Sequence, residues 1–111
     1  MQEKIKVLVV EPDKRPKVRE IPNTLEAMQE IVGGYIEVAH PWGYVERVAL
    51  VCNEEGKIRE LPINRTVRTN DGKYWDTIFG TFFLAGEEKE DFVSLDDSMM
   101  NKYGAMFYDI R

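Results

Sequence analysis

The segment "NRTVR" places an asparagine and two arginines close together, at Asn64, Arg65 and Arg68. The planar guanidinium of arginine binds phosphate or carboxylate through two parallel hydrogen bonds, and an asparagine amide both donates and accepts. The side chains that we take as candidate neighbours of this group are Tyr35, Glu37 and Asp76. One interpretation is a nucleotide site, with the arginines on the phosphates and the tyrosine stacked on the base. The alternative is structural, since Arg65 can instead pair with one of the two carboxylates and hold its loop in place.

A second candidate surface is aromatic and acidic. The segment "HPWGYVER" contains proline and glycine, so it is predicted to be a loop, and it carries Trp42 and Tyr44. Aromatic side chains at loop tips are common anchors in protein–protein interfaces. The acidic turn at 87–91 begins with Glu87 and Glu88. These four residues are predicted to bind a protein partner, and the alternative for Trp42 is that its ring folds back over the core.

No pattern in the sequence is typical of catalysis or of a bound metal. His40 is the single histidine and Cys52 the single cysteine, so no histidine pair can hold a metal and no intramolecular disulfide can form. Cys52 lies in the apolar run "VALVCN" and is predicted to be a reduced, buried thiol. Adjacent carboxylates such as Asp96 and Asp97 lie at a predicted helix start, where their negative charge interacts favourably with the positive end of the helix dipole. We therefore expect no catalytic residue, metal or cofactor, and we favour a protein that is not an enzyme.

Length and charge restrict the class of protein further. The chain of 111 residues is predicted to form a single domain, 1–111, with enough apolar residues for one core. Its 20 acidic and 15 basic residues give a net charge of −5, which disfavours nucleic acid as a partner. The start "MQEKIKVLVVEP" resembles neither a signal peptide nor a membrane span, so we expect no membrane association and a cytoplasmic protein.

Two consecutive glycines follow the clearest helix pattern in the sequence. In "PNTLEAMQEIVGG", Asn23 is predicted to cap a helix and Glu26 to complete a capping box. Gly33 or Gly34 then suits the left-handed residue that ends many helices. A phosphate-binding loop would place its glycines before a helix, where the free amides point at the anion. The glycines are therefore predicted to end the helix, not to bind a nucleotide.

Alternating and apolar runs predict strands at "IKVLVV", "KVREI", "YIEVA", "VALVC", "KIREL" and "TFFLA". The first two runs are predicted to pair as a hairpin. Residues 48–52 and 57–61 are predicted to pair as a second hairpin around the turn 53–56, and 64–76 to form a loop or short helical turn. A second helix is predicted from a cap at Ser94. The fold class is therefore α+β, with one antiparallel or mixed sheet of about five to six strands and two helices packed on it.

The blocks "KVLVVEP", "REIPNTLEAMQEIVGGYIE", "ALVCNEEGK", "LPINR" and "GTFFLAG" resemble a family of small domains of unknown function. That family is carried by phages, plasmids and integrated elements of Gram-positive bacteria, and the resemblance runs from about Lys4 to Leu95. It shows no pattern for the loop "AHPWGYVER" or for the helix after Ser94. The resemblance implies an accessory gene of a mobile element in a bacterial host cell, but it implies no biochemical activity.

Two functions from different classes follow, with a third that is purely structural. In the first, the protein is a non-catalytic binding module that binds and inhibits a host defence protein through the aromatic and acidic surface. In the second, it binds a small molecule and sequesters a nucleotide signal through the arginine, asparagine and tyrosine residues. In the third, it is a structural subunit. Self-association is left open, because an interface between copies is a common place for a ligand site.

Overall fold

The computed structural model describes residues 3–110. They form eight strands and two helices, in the order β1 (Lys4–Val10), β2 (Lys17–Pro22), α1 (Leu25–Val32), β3 (Ile36–Ala39), β4 (Val48–Asn53), β5 (Ile63–Arg68), β6 (Tyr74–Phe79), β7 (Phe82–Glu88), β8 (Asp91–Val93) and α2 (Asp97–Met106). This arrangement confirms the predicted α+β class with two helices. None of the helices formed by residues 3–110 is long and apolar enough to cross a membrane.

Six of the strands form one antiparallel sheet with β7 near its centre. The strand order is β2-β1-β7-β4-β3, and β8 pairs with the far end of β7. Leu84 of β7 lies opposite Leu8 of β1 on one side and opposite Leu50 of β4 on the other. Phe82 to Ala85 are fully buried because elements cover both faces of the sheet at this point. The strands β5 and β6 form a separate two-stranded sheet.

The main sheet separates two apolar cores. On one face, Met28 and Val32 of α1 pack on residues such as Val51 and Phe83. On the other face, α2 and the β5–β6 hairpin together cover Leu50, Leu84 and their neighbours. Burial of apolar surface on both faces accounts for the sheet's stability without a metal or a disulfide.

Thr24 caps α1 in place of the predicted Asn23. The Thr24 hydroxyl accepts a hydrogen bond from the Ala27 amide, and the Asn23 amide donates instead to the carbonyl of Phe92 on β8. At the other end, Gly33 adopts the left-handed conformation with φ of 79°. The amides of Gly33 and Gly34 both donate to the Gln29 carbonyl. The glycine pair thus ends the helix, as the sequence predicts.

The predicted pairing of residues 48–52 with residues 57–61 is wrong. β4 pairs with β3 and β7, and the chain after it forms consecutive turns. Asn53 starts these turns because its side chain accepts from the Glu55 amide and donates to the Val32 carbonyl. Glu60 then adopts a left-handed conformation with φ of 54°, which strands do not contain.

The prediction of a loop or short helical turn over 64–76 is also wrong, because this region contains most of β5 and the first half of β6. The turn predicted at Asn70 to Gly72 is present and joins the two strands. Irregularities in register occur between Ile63 and Arg65 and between Val67 and Arg68. They disrupt the alternation by which a strand is recognised from sequence. The buried side chains of Asn64 and Arg65 obscure the pattern further.

Asp96, not the predicted Ser94, caps α2. Its carboxylate accepts hydrogen bonds from the Met99 amide and the Ser98 hydroxyl, and both bonds lower its pKa. The Ser94 hydroxyl accepts from the Lys6 amide and so joins the segment before α2 to β1. Tyr103 and Phe107 place the apolar face of this helix on the sheet.

Two glycine substitutions test whether backbone conformation alone governs stability at these sites. A Cβ atom at Gly33 or at Gly104 would meet nothing within 4 Å, but only Gly33 has a positive φ. Gly33→Ala is therefore expected to lower the free energy of unfolding by about 1 kcal/mol, because an L-residue is strained there. Gly104→Ala lies in the interior of α2 and is expected to raise it by about 0.5–1 kcal/mol.

Urea denaturation measures both changes, and each variant is the other's control because the added methyl group is the same. Equal effects of the two substitutions would contradict the assignment of the left-handed helix end to Gly33.

Candidate functional site

A groove with a volume of about 1200 Å³ lies at the end of the sheet where β7 turns into β8. Three segments form its walls: Tyr44, Glu46 and Arg47 after β3, the hairpin from Gly86 to Ser94, and the start of α2 as far as Met99. The hairpin turn consists of Lys89 and Glu90, both with positive φ (48° and 73°). Residues other than glycine and asparagine seldom adopt this conformation, so the turn carries charged side chains at a backbone cost.

The groove holds most of the net charge of the chain. Six carboxylates line it, against two cationic side chains, which gives −4 of the total of −5. The carboxylates belong to Glu46, Glu87, Glu88, Glu90, Asp91 and Asp96, and the cations to Arg47 and Lys89. A concave surface whose charges are mostly of one sign raises the local concentration of oppositely charged partners. The groove is therefore suited to a positively charged partner.

Two apolar side chains are exposed on the loop that forms one wall of this groove. Tyr44 is 78% exposed and Val45 is 95% exposed, although both are large hydrophobic residues. The Tyr44 ring packs on the His40 ring, with 4.3 Å between the centroids. His40 Nε2 in turn lies 2.6 Å from a carboxylate oxygen of Glu87. Stacking and pairing together attach the 40–47 loop to β7.

The structure thus brings three of the four predicted protein-binding residues together, namely Tyr44, Glu87 and Glu88. It places Trp42 in the core, 4% exposed, which is the second of the two alternatives for its ring. The Trp42 indole donates to the Arg68 carbonyl at 3.0 Å and packs on Tyr103. Trp42 therefore supports the loop from below and leaves Tyr44 at the surface.

Sequence reasoning missed Glu46 and Met99 as groove residues. Glu46 lies two residues after Tyr44 in the predicted loop, so its position in the sequence was a usable signal. Met99 belongs to the apolar stripe of α2, and such stripes usually indicate core packing alone. No local pattern shows that the start of α2 lies beside the β7–β8 hairpin.

The six residues of the predicted nucleotide site do not come together. Glu37 and Asp76 line a smaller cleft of about 240 Å³ between the end of β4 and the strand β6. Lys57 forms an ion pair with Asp76 there, with 2.6 Å between the charged atoms. Tyr35 is 68% exposed in the turn between α1 and β3. Arg68 is exposed and donates to the Gly72 carbonyl at 3.3 Å.

Arg65 and Asn64 are buried, each 2% exposed, and bond to the protein itself. The Arg65 guanidinium donates to the carbonyls of Glu11, Lys14 and Phe107, and to the Asn64 side chain. It does not pair with Glu37 or Asp76, which was the predicted structural role. Burial lowers the pKa of Arg65, and the charges of Asp13 and Asp109 oppose that effect.

The Asn64 amide donates to the carbonyls of Val10 and Gly80 at 2.9 Å each. These two carbonyls belong to the last residue of β1 and to the residue that follows β6. With its amide directed at the main chain and its oxygen accepting from Arg65, Asn64 is oriented by the fold. Neither residue of this pair presents its side chain at the surface, where a phosphate would bind.

The Cys52 thiol is not activated for chemistry. Burial raises the pKa of the Cys52 thiol to about 12, and Glu37 and Asp76 add to the effect. A thiol with that pKa is a poor nucleophile at neutral pH. Within residues 3–110, no group of three or more histidine, cysteine, aspartate or glutamate side chains is arranged to hold a metal.

Comparison with known proteins identifies a family. A family model described as "Domain of unknown function (DUF3846)" matches residues 5–108. The match includes the 40–47 loop and α2, for which the sequence blocks gave no pattern. No curated protein and no solved structure matches the chain.

Arg65→Lys is expected to lower the free energy of unfolding by about 2–4 kcal/mol, because a lysine cannot make the divergent hydrogen bonds of the guanidinium and leaves buried carbonyls unpaired. Arg68→Lys is the matched control and is expected to change stability by less than about 0.5 kcal/mol at its exposed position. Chemical denaturation of both variants makes the comparison. A similar small loss for both would show that Arg65 does not hold the fold together.

The Cys52 thiol is expected to resist alkylation by iodoacetamide at pH 8 in the folded protein. With a pKa of about 12, only about one thiol in ten thousand is ionised at that pH. Mass spectrometry after a timed reaction measures the modified fraction, and the same reaction in denaturant is the positive control. Rapid modification of the folded protein would contradict a buried, neutral thiol.

Proposed function

Because this chain belongs to the DUF3846 family, whose function is unknown, we propose its function from the groove itself: a non-catalytic module that binds a positively charged protein. The single observation that carries the proposal is the combination of a concave acidic surface with an exposed Tyr44 at its rim, beside which Val45 is also exposed. An aromatic anchor with a polar rim around it is typical of protein interfaces.

The charge of the groove favours one class of partner over others. A net charge of −4 within one groove repels phosphate, so nucleic acids and free nucleotides are disfavoured as occupants. A protein surface rich in lysine and arginine is attracted instead, and the attraction acts over about 8–10 Å at physiological salt. Complementary charge of this kind increases the association rate and selects the partner.

The rim supplies the apolar contact that charge alone does not give. Tyr44 is fixed by its stacking on His40, so little side-chain freedom is lost when it contacts a partner. Val45 lies next to it and is almost fully exposed. Trp42, in the same loop, is buried against Tyr103 and holds the loop on the core. An anchor that is already ordered before binding favours affinity.

For the identity of the partner we propose a host defence protein in the cytoplasm of a Gram-positive bacterium. This part rests on the resemblance to small domains of phages, plasmids and integrated elements. Accessory proteins of such elements commonly bind and inhibit host proteins. A positively charged surface is common in proteins that act on nucleic acids, and occlusion of that surface by the acidic groove would be the inhibitory mechanism.

The tagged chain is expected to capture a protein with a basic surface from a Gram-positive lysate, and to lose it when the groove is altered. Tyr44→Ser removes the anchor and Glu88→Lys inverts one exposed charge, and each is expected to weaken binding by about tenfold or more. Binding is also expected to weaken as salt rises from 50 to 500 mM. Quantitative mass spectrometry of the captured proteins measures these effects.

Tyr35→Ser is the matched control, because Tyr35 is 68% exposed and lies near the opposite end of β4 from the groove. It is expected to leave capture unchanged. If the same proteins are captured by all three variants, or if only Tyr35→Ser reduces capture, the groove is not the binding surface.

A further inference from the structure

Tyr103 of α2 has a buried hydroxyl that is poorly bonded, because its polar neighbour, the Glu46 carboxylate, lies outside full hydrogen-bond geometry. The residue is 0% exposed, and its hydroxyl is the one buried side-chain polar atom without a well-formed hydrogen bond in the part of the chain that the structure describes. An unpaired buried polar atom is costly and is uncommon in native proteins. Phenylalanine would fill the same space without that cost, so packing alone does not explain why residue 103 carries a hydroxyl.

The position of Tyr103 connects it to the groove. Met99 lines the groove and lies one helical turn before Tyr103, on the same face of α2. Burial raises the pKa of the Tyr103 hydroxyl, and the Glu46 carboxylate, which is also part of the groove wall, adds to the effect through its charge and a weak hydrogen-bond contact. The hydroxyl therefore lies behind Glu46, where the groove meets the core.

The side chain of Lys102 already places a positive charge beside Glu46 and Tyr103. The Lys102 ammonium lies 3.3 Å from the Glu46 carboxylate and 5.2 Å from the centre of the Tyr103 ring. Both side chains of this ion pair are partly exposed, at 44% and 25%. Ion pairs of that exposure are weak, and competing charges displace them readily.

From these contacts we propose that the groove binds an arginine side chain of the partner, whose guanidinium replaces Lys102 on Glu46 and donates to the Tyr103 hydroxyl. This inference rests on the proposed function, since it names the chemistry by which the same groove recognises its partner. Arginine suits the place better than lysine because its planar guanidinium has five donors. It can pair with a carboxylate and still donate to a second acceptor beside it.

The peptide acetyl-Gly-Arg-Gly-amide is the probe, titrated into the labelled protein at low salt and followed by NMR. Wild-type protein is expected to show shifts at residues 46, 99 and 103, and the same peptide with citrulline in place of arginine is expected to show none. Tyr103→Phe is expected to weaken binding by about tenfold, which corresponds to one hydrogen bond to a charged group. Its melting temperature is expected to stay the same or rise, because the variant loses only a buried hydroxyl that lacks a well-formed hydrogen bond.

Lys102→Gln is expected to strengthen binding of the arginine peptide by about threefold or more, because it removes the competing cation. Lys89→Gln is the matched control, since it makes the same change of charge elsewhere in the groove. The inference is overturned if the peptide does not bind, if Tyr103→Phe binds it as the wild type does, or if the two lysine variants behave alike.

Failure of this inference differs from failure of the proposed function. Capture of a basic protein that depends on Tyr44 but not on the Tyr103 hydroxyl would retain the function and reject the arginine site. Binding of the arginine peptide with no captured protein would retain the site and reject the proposed class of partner.

Discussion

Arg65 donates hydrogen bonds from one guanidinium to parts of the chain that are far apart in the sequence. Its partners are the carbonyls of Glu11 and Lys14 in the β1–β2 turn and of Phe107 at the end of α2. The neighbouring Asn64 amide joins β5 to the end of β1 and to Gly80. The β5–β6 hairpin has no strand pairing with the main sheet. These polar contacts, with the apolar core below them, therefore fix where the hairpin and α2 lie on the sheet.

The groove depends indirectly on these same contacts, because they position the segments that form its walls. α2 supplies Met99 and Asp96 to the groove wall, and the position of α2 is set by Tyr103, Phe107 and the Arg65 contact at its end. The 40–47 loop is held from below by Trp42, whose indole donates to the last residue of β5. The core thus determines the shape of the groove, while the surface residues determine its charge. Substitutions at the surface can change recognition with little effect on folding.

Local patterns in the sequence predicted the elements that depend on local chemistry. The α1 helix and its glycine end, the β1–β2 hairpin, β3, β4 and β7 follow from apolar spacing and from the preference of glycine for a left-handed conformation. The β5–β6 hairpin was missed because irregular register and two buried polar residues hide its alternation. Asn64 and Arg65 look like ligand-binding residues in sequence, because several of their partner carbonyls are distant in the chain: that of Val10 is 54 residues from Asn64 and that of Phe107 is 42 residues from Arg65. Grouping of Tyr44 with the acidic turn was predictable, whereas the contribution of α2 to the groove was not.

The central position of β7 has a consequence for the order in which the chain folds. The hairpin of β1 with β2 and the pair of β3 with β4 are each local and can form early. Neither can join the other directly, because β7 lies between them and follows both in the sequence. During synthesis the two halves of the sheet must therefore wait until residues 82–88 leave the ribosome, with apolar strand edges unpaired in the meantime. Insertion of this late strand closes long loops and is expected to set the folding rate of the whole protein.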